Sequence, residues 1–306
     1  MAKALYSTTH STKKLADATT KRIMKDRIEL LSPAKDYEHG VAAINCGADA
    51  VYIGYEKFGA RQSAGNDIKQ IEALCKYAAK YNARVYATLN TILYDNELDA
   101  ARSAAYKLYE AGVSAFIVQD MSWLMTELPD IPLYASTQTH NYDLERIKFL
   151  EQSGFSRVIL ARELSLEQTK EIRANTVLEL ESFVHGALCV CFSGQCYMSQ
   201  YIGGRSGNRG ECAQPCCKKY DLLDGNGKTI IKDKYLLSLK DMNLAARVVD
   251  LIDAGVSSFK IEGRLKGMSY VKNVTAYYRN VLDSVLSGKN MQKSSSGKVE
   301  LNFVPD

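Results

Sequence analysis

Eight short apolar runs recur between residues 28 and 263, and segments of helical periodicity separate most of them. The runs fall at 28–33, 50–54, 84–90, 115–120, 133–138, 157–162, 181–186 and 257–263. They are rich in Val, Ile, Tyr or Phe, as strands buried on both faces are. Helical patterns fill 38–46, 68–81, 97–111, 144–153, 166–175, 244–254 and 270–286. Gly47, Gly112, Gly154 and Gly255 read as helix stops, and Asp143 and Ser165 as N-caps. Eight strands in β/α alternation predict a TIM-type (β/α)8 barrel of the α/β class. A chain of 306 residues with 46% hydrophobic content can fill one such barrel. The runner-up is an open doubly wound sheet. It lacks support because the first strand runs into SPAKDY and not into a glycine fingerprint.

One interval breaks the rhythm. Almost sixty residues separate the seventh strand from the helix at 244, and six of the chain's 8 cysteines lie in them. They are Cys189, Cys191, Cys196, Cys212, Cys216 and Cys217. The remaining two, Cys46 and Cys75, sit in helical segments and read as core filling. After the cysteines, YDLLDGNGKTIIKDKYLLSL reads as a hairpin turning at Asp224-Gly225-Asn226-Gly227. An insertion after a barrel strand stands over the barrel's active face. The expected organisation is an N-terminal arm at 1–27, a barrel domain at 28–288 that includes the cysteine-rich insertion and hairpin at 187–240, and a linker or tail at 289–306.

Three roles compete for the clustered thiols. Disulfides belong to oxidising compartments, and the chain opens on no apolar signal segment and contains no run of about 18 apolar residues. A cytoplasmic protein without a membrane partner is expected. Packing suits the two upstream cysteines better than a glycine-rich polar stretch. A metal or cluster site remains. Six residues between Cys189 and Cys196 are more than structural zinc usually has, whereas iron–sulfur clusters accept looser spacing.

The same stretch carries a family resemblance. Glu181-x-Phe183-x-x-Gly186-Ala187-Leu188-Cys189, followed by Gly194-x-Cys196-x-Met198-Ser199, resembles the signature of the collagenase-like peptidase family U32. GGRSGNRGECAQPC, the opening ELLSPAKDYEHGVAAINCGADAVYIG, and the late SLKDM and FKIEGR extend the likeness over about residues 28–286. Some members of that family hydroxylate tRNA or ribosomal RNA bases, and others act in oxygen-independent ubiquinone hydroxylation. The resemblance implies a [4Fe–4S] cluster on Cys189, Cys196, Cys212 and Cys216, with Cys217 able to replace Cys216. It implies tRNA uridine 5-hydroxylation with prephenate as co-substrate. Zinc is the alternative metal. The alternative functions are a peptidase, a ubiquinone-type hydroxylase and a zinc-stapled binding protein. No His-Glu-x-x-His motif and no Gly-x-Ser-x-Gly elbow supports proteolysis.

Strand parity places polar groups at the barrel mouth. Phe259 and Ile261 share one face of the last strand, so Lys260, Glu262 and Arg264 point inward, where unpaired charge is costly. An internal ion-pair ladder is one reading of them and substrate positioning another. Ser136, Gln138 and His140 share parity on the fifth strand, and His185 shares parity with Glu181 on the seventh. His185, His140, Glu262, Lys260, Arg264 and Arg162 are the candidate catalytic residues, with Arg162 and Arg264 suited to carboxylates. Gln138, Asn90 and Gln119 are candidate substrate contacts, and Tyr52 is a further strand-end group. Arg205 and Arg209 lie in GGRSGNRG, which is either a tight connector or a phosphate contact. Residues 201–240 carry eight Lys or Arg against four acids, a basic collar that fits RNA.

Overall fold

The computed structural model describes residues 28–61, 64–289, 295, 297 and 299–304. The arm expected at 1–27 lies outside them, as does part of the tail at 289–306. Eight strands close a barrel: β1 (Glu29–Ala34), β2 (Ala50–Tyr55), β3 (Arg84–Leu89), β4 (Ala115–Val118), β5 (Leu133–Ala135), β6 (Arg157–Ile159), β7 (Glu179–Gly186) and β8 (Ser258–Ile261). Every neighbouring pair is parallel, and β1 pairs with both β2 and β8. The closed sheet therefore leaves no open edge to protect. The helices are α1 (Tyr37–Asn45), α2 (Ile68–Ala79), α3 (Leu98–Glu110), α4 (Leu144–Gln152), α5 (Leu166–Asn175), α6 (Met198–Gly203), α7 (Val248–Asp253) and α8 (Met268–Lys289). None is long and apolar enough to cross a membrane.

The alternation of side chains divides the core into two layers. Leu31, Tyr52, Tyr86, Ile117, Tyr134 and Phe183 pack together in the lumen. Val51, Ile53, Val85, Phe116 and Val118 point outward against Ile71, Leu74, Ala105 and Leu108 of the helices. Each fully buried side chain of this size is worth about 1.5–3 kcal/mol of transfer free energy. The expected caps are in place. Asp143 accepts from the Arg146 amide, and Ser165 forms a capping box with Gln168. Gly47, Gly112, Gly154 and Gly255 all end helices at positive φ. After β4 the chain makes only a 3₁₀ turn, Met121–Leu124, and buried Trp123 fills the place a helix would take.

Two departures from simple alternation matter for the site. β5 stops at Ala135, three residues short of the expected strand. The Ser136 hydroxyl accepts from the Gln138 amide and caps a 3₁₀ turn, Thr137–Thr139, and His140 then adopts a left-handed conformation. A side chain competing for backbone groups has ended the strand. In β7, Phe183 aligns with Lys260 but His185 aligns with Ile261, so Val184 is an extra residue in the ladder. Such a bulge reverses the facing of everything beyond it.

Residues 187–241 leave the barrel after β7. They include α6, two 3₁₀ turns and an antiparallel hairpin, Tyr220–Leu223 with Thr229–Lys234, turning at Asp224 to Gly227. The chain returns through Met242–Asn243, which pairs antiparallel with Gly186 and His185. The helix expected at 244–254 divides into a 3₁₀ turn, Ala245–Arg247, and α7.

Candidate active site

The barrel floor is ionic. Arg157 is buried and reaches Glu29 at 2.6 Å, Glu179 at 2.7 Å and Glu181 at 3.0 Å. Arg84 also bonds Glu29, at 2.5 Å, and Lys260 Nζ lies 2.8 Å from Glu181. Burial by itself would raise the Glu29 carboxyl, but Arg157 and Arg84 hold it down at about 2. The inward-pointing Lys260 is thus the top rung of an internal ladder. Its ammonium also sits 4.5 Å from the centre of the Tyr52 ring and 5.3 Å from that of Phe183. Burial pulls the Lys260 ammonium below its ordinary value, against the pull of Glu181.

Above this rung lies a cavity. Tyr52, Arg61, Thr88, Asn90, Gln138, Arg162, Phe183, Lys260, Glu262 and Arg264 line its lower wall, and Cys189, Cys196, Cys212 and Cys216 line its roof. The inward facing expected for Lys260, Glu262 and Arg264 holds. Arg264 donates to the Thr88 hydroxyl at 2.8 Å, and Arg162 approaches Glu262 at 3.4 Å while stacking 3.9 Å over the Phe183 ring. Burial would raise the Glu262 carboxyl, but Arg61, Arg162, Arg264 and Lys260 together bring it below the ordinary range. Burial and the nearby Glu262 carboxylate push the Tyr52 phenol well above its usual value, and it donates to the Ile261 carbonyl at 2.8 Å. Asn90 ties the rim together, accepting from Ala60 N and donating to Ser136 Oγ. The buried Nε atoms of Arg162 and Arg264 have no hydrogen-bond partner among the described residues. Buried donors of this kind call for an acceptor.

The roof is clamped onto the barrel loops. Glu163 accepts from both the amide and the hydroxyl of Ser193, at 2.5 and 2.8 Å, and His140 Nδ1 lies 2.9 Å from the Ser193 carbonyl. On the other side, Arg209 makes a two-pronged pair with Glu97, both contacts 2.7 Å, and donates to the Ile92 carbonyl. Gly194 has φ +73°, and a Cβ there would stand 2.1 Å from the Gln138 carbonyl oxygen.

Among the six clustered thiols the structure discriminates. Cys189, Cys212 and Cys216 line both the cavity and a second hollow beside Arg205 and Leu265, whereas Cys217 lines only the second and Cys196 only the first. The Cys216 and Cys217 sulfurs are 3.9 Å apart. Cys191 Sγ points to the Gln195 carbonyl at 3.5 Å. Burial and neighbouring thiols raise Cys189, and burial with Cys217 pushes Cys216 up to about 12. Among the described residues no three His, Cys, Asp or Glu side chains converge tightly enough for one metal ion.

Several candidates sit elsewhere than expected. The β7 bulge turns His185 away from the lumen, against Tyr278 and Tyr270 at ring distances of 5.5 and 5.9 Å. There burial lowers its pKa and Nδ1 has no partner among the described residues. His140, no longer on a strand, braces Ser193. Gln119 donates to the Gln138 carbonyl at 3.3 Å and stays outside the cavity lining. Arg209 is engaged by Glu97, while Arg205 is exposed beside the second hollow and donates through Nε to the Glu211 carbonyl. Sequence reasoning missed Arg61 and Thr88. Thr88 shares strand parity with Tyr86 and could have been found. Arg61 lies in a loop without periodicity, and nothing local marked it.

A family model described as Peptidase family U32 matches residues 35–304. The 23S rRNA 5-hydroxycytidine C2501 synthase of Escherichia coli is 49% identical over 284 residues, covering 92% of this chain and 44% of that protein. The tRNA hydroxylation protein P1 of Bacillus subtilis is 34% identical over 274 residues, covering 86% of this chain and 65% of that protein. The chain thus spans less than two thirds of the length of either relative. The structure of the U32 peptidase Mk0906 superposes with a TM-score of 0.54 at 13% identity, covering 78% of this chain and 94% of that one, a likeness of fold.

Proposed function

This chain belongs to peptidase family U32, and on that premise we propose that it hydroxylates a pyrimidine base of RNA at C5, with a [4Fe–4S] cluster held by Cys189, Cys196, Cys212 and Cys216. One observation carries the reading: four cysteines roof the same cavity whose floor and walls are Lys260, Glu262, Arg162, Arg264 and Arg61. A tetrahedral zinc at about 2.3 Å from each sulfur would draw the thiols tightly together. Thiols spaced round a cavity fit the wider reach of a polynuclear cluster. When bound, such a cluster supplies one-electron transfer next to the pocket.

The chain's own residues bind and orient. Tyr52, Asn90 and Gln138 offer hydrogen-bonding groups to a base. Arg162 and Arg264 present buried, unsatisfied donors, and Arg61 adds a third guanidinium. This excess of positive charge over Glu262 suits the two carboxylates of prephenate, the co-substrate that the resemblance implies. The basic collar at 201–240 suits the RNA backbone. Uridine in tRNA is the target that the resemblance suggests, and cytidine in 23S rRNA is the target named for the first relative. A cytoplasmic setting, which keeps thiols reduced, belongs to the same reading.

The peptidase reading gains no geometric support. A cysteine nucleophile needs a histidine within hydrogen-bond reach. Of the described histidines, His39 pairs with Asp36, His140 with Ser193, and His185 faces two tyrosines.

The test is mass spectrometry of RNA from a strain lacking the gene, complemented by the wild-type chain or by Cys212→Ala. Loss of one 5-hydroxypyrimidine, restored only by the wild type, is expected. Unchanged RNA would overturn the proposal and leave small-molecule hydroxylation of the ubiquinone type. Anaerobically purified protein should be brown with about four irons per chain, following cluster stoichiometry. A colourless protein carrying one zinc would mark the insertion as a stapled binding surface.

A further inference from the structure

Aromatic side chains at the roof and rim are far more exposed than tyrosine and phenylalanine usually are. Tyr201 is 92% exposed, Phe192 61%, Tyr94 58%, Tyr197 57% and Tyr142 42%. They come from three stretches of chain: 192–201 reaches the cavity directly, Tyr142 joins it through His140 and Phe192, and Tyr94 packs on Arg209, next to cavity-lining Asn208. Phe192 itself lines the cavity, and Met198 and Ser199, beside Tyr197, line it too. Tyr197, the N-cap of α6, and Tyr201 within it stand one helical turn apart, and Tyr201 N bonds to the Tyr197 carbonyl.

Several of these rings are held in place. The Tyr142 ring lies 4.4 Å from that of His140, whose other neighbour is the Phe192 ring at 6.1 Å. His140 is in turn anchored to the Ser193 carbonyl. Tyr94 lies under the Arg209 guanidinium at 4.2 Å, and the two contacts to Glu97 fix that guanidinium. Apolar rings braced in this way and left in water lose hydrophobic free energy unless something covers them.

We infer that this rim is a stacking platform for unpaired RNA bases, so that the enzyme takes its target from a loop or single strand and not from a duplex. The inference rests on the RNA reading above and deepens it. Each nucleobase has a π-face that an exposed aromatic can meet, whereas in a duplex those faces are already covered. The surroundings carry the matching charge: residues 201–240 hold eight Lys or Arg against four acids, and a phosphate backbone complements that excess. An acidic protein face would match the charge alone, whereas unpaired RNA matches both the charge, through its backbone, and the exposed rings, through its bases.

Fluorescence anisotropy would compare a twelve-nucleotide unpaired oligouridylate with a hairpin-free RNA duplex of equal length, at one fixed salt concentration. The wild type should bind the single strand at least 10-fold more tightly. Phe192→Ala and Tyr201→Ala should each weaken single-strand binding by roughly 10-fold to 100-fold, with the salt slope unchanged because no phosphate contact is lost. Tyr201→Trp should retain affinity. Equal affinity for the duplex, or alanine variants that bind as the wild type does, would overturn the platform while leaving RNA hydroxylation intact. Absence of any RNA binding by the wild type would overturn the RNA reading itself. If Tyr201→Ala instead abolished a self-association seen by light scattering and left RNA affinity alone, the rings would belong to a contact between two copies, and the platform would again be wrong.

Discussion

At the level of single residues, the site depends on where a few side chains have no room to change. Gly194 is one. Its positive φ and the Gln138 carbonyl beneath it leave no space for a Cβ. Gly194→Ala should lift the loop between Cys191 and Cys196, so that, on the proposed cluster assignment, the purified protein holds less than half the wild-type iron while its far-UV circular dichroism is unchanged. Arg264 is another. Its Nε lacks a partner among the described residues and its other branch bonds Thr88. Arg264→Met should raise KM for the proposed dicarboxylate co-substrate by 10-fold or more, the loss of about 1.5–3 kcal/mol in a charged hydrogen bond. Steady-state kinetics at saturating RNA would show it. His185 teaches the opposite lesson. Its strand-end position suggested chemistry, but one additional residue in the ladder sends it into the helix layer.

Among the elements, the strands and helices of the barrel were legible because their signals are local. Period-2 and period-3.6 patterns, caps at Asp143 and Ser165, and glycine stops each act within one turn of chain. The bulge in β7 and the early end of β5 were not legible. The first depends on register between partners far apart in sequence, and the second on competition between the Ser136 hydroxyl and the ladder. The cavity was half legible for the same reason. Parity placed Lys260, Glu262 and Arg264 on the inward face, while loop-borne Arg61 has no period to betray it. The clamp on the roof was also hidden, since Glu163 and Ser193 meet across 30 residues. Glu163→Gln removes the charge from both bonds. It should loosen the roof by about 1–2 kcal/mol, seen as faster amide exchange confined to residues 190–200 and faster iron loss to a chelator, with the melting of the barrel little changed.

For the whole molecule, stability and chemistry are built at opposite ends of one lumen. The floor network contributes an acid-sensitive share. Glu29 is held at about 2 against an ordinary 4.5, which corresponds to about 3 kcal/mol. A carboxylate with a lowered pKa contributes fully above its unfolded value. That contribution is therefore complete above about pH 4.5 and disappears as pH falls towards 2. Urea unfolding measured across this range should show the loss, and Glu29→Gln should flatten the slope. The same substitution should lower stability at pH 7 by about 3–5 kcal/mol, because it leaves Arg157 and Arg84 short of a counter-charge.

The antiparallel clasp of Met242 and Asn243 on Gly186 and His185 has a consequence for how such a chain can diversify. The excursion carrying the cysteines departs and re-enters at neighbouring rungs, so its length is nearly invisible to the staves beneath. Closing a longer or shorter detour changes the entropy only with the logarithm of its size. A graft that swaps 189–240 for a brief turn should yield a soluble, cooperatively melting vessel without its lid, and transplanted lids of other lengths should seat on the same hinge.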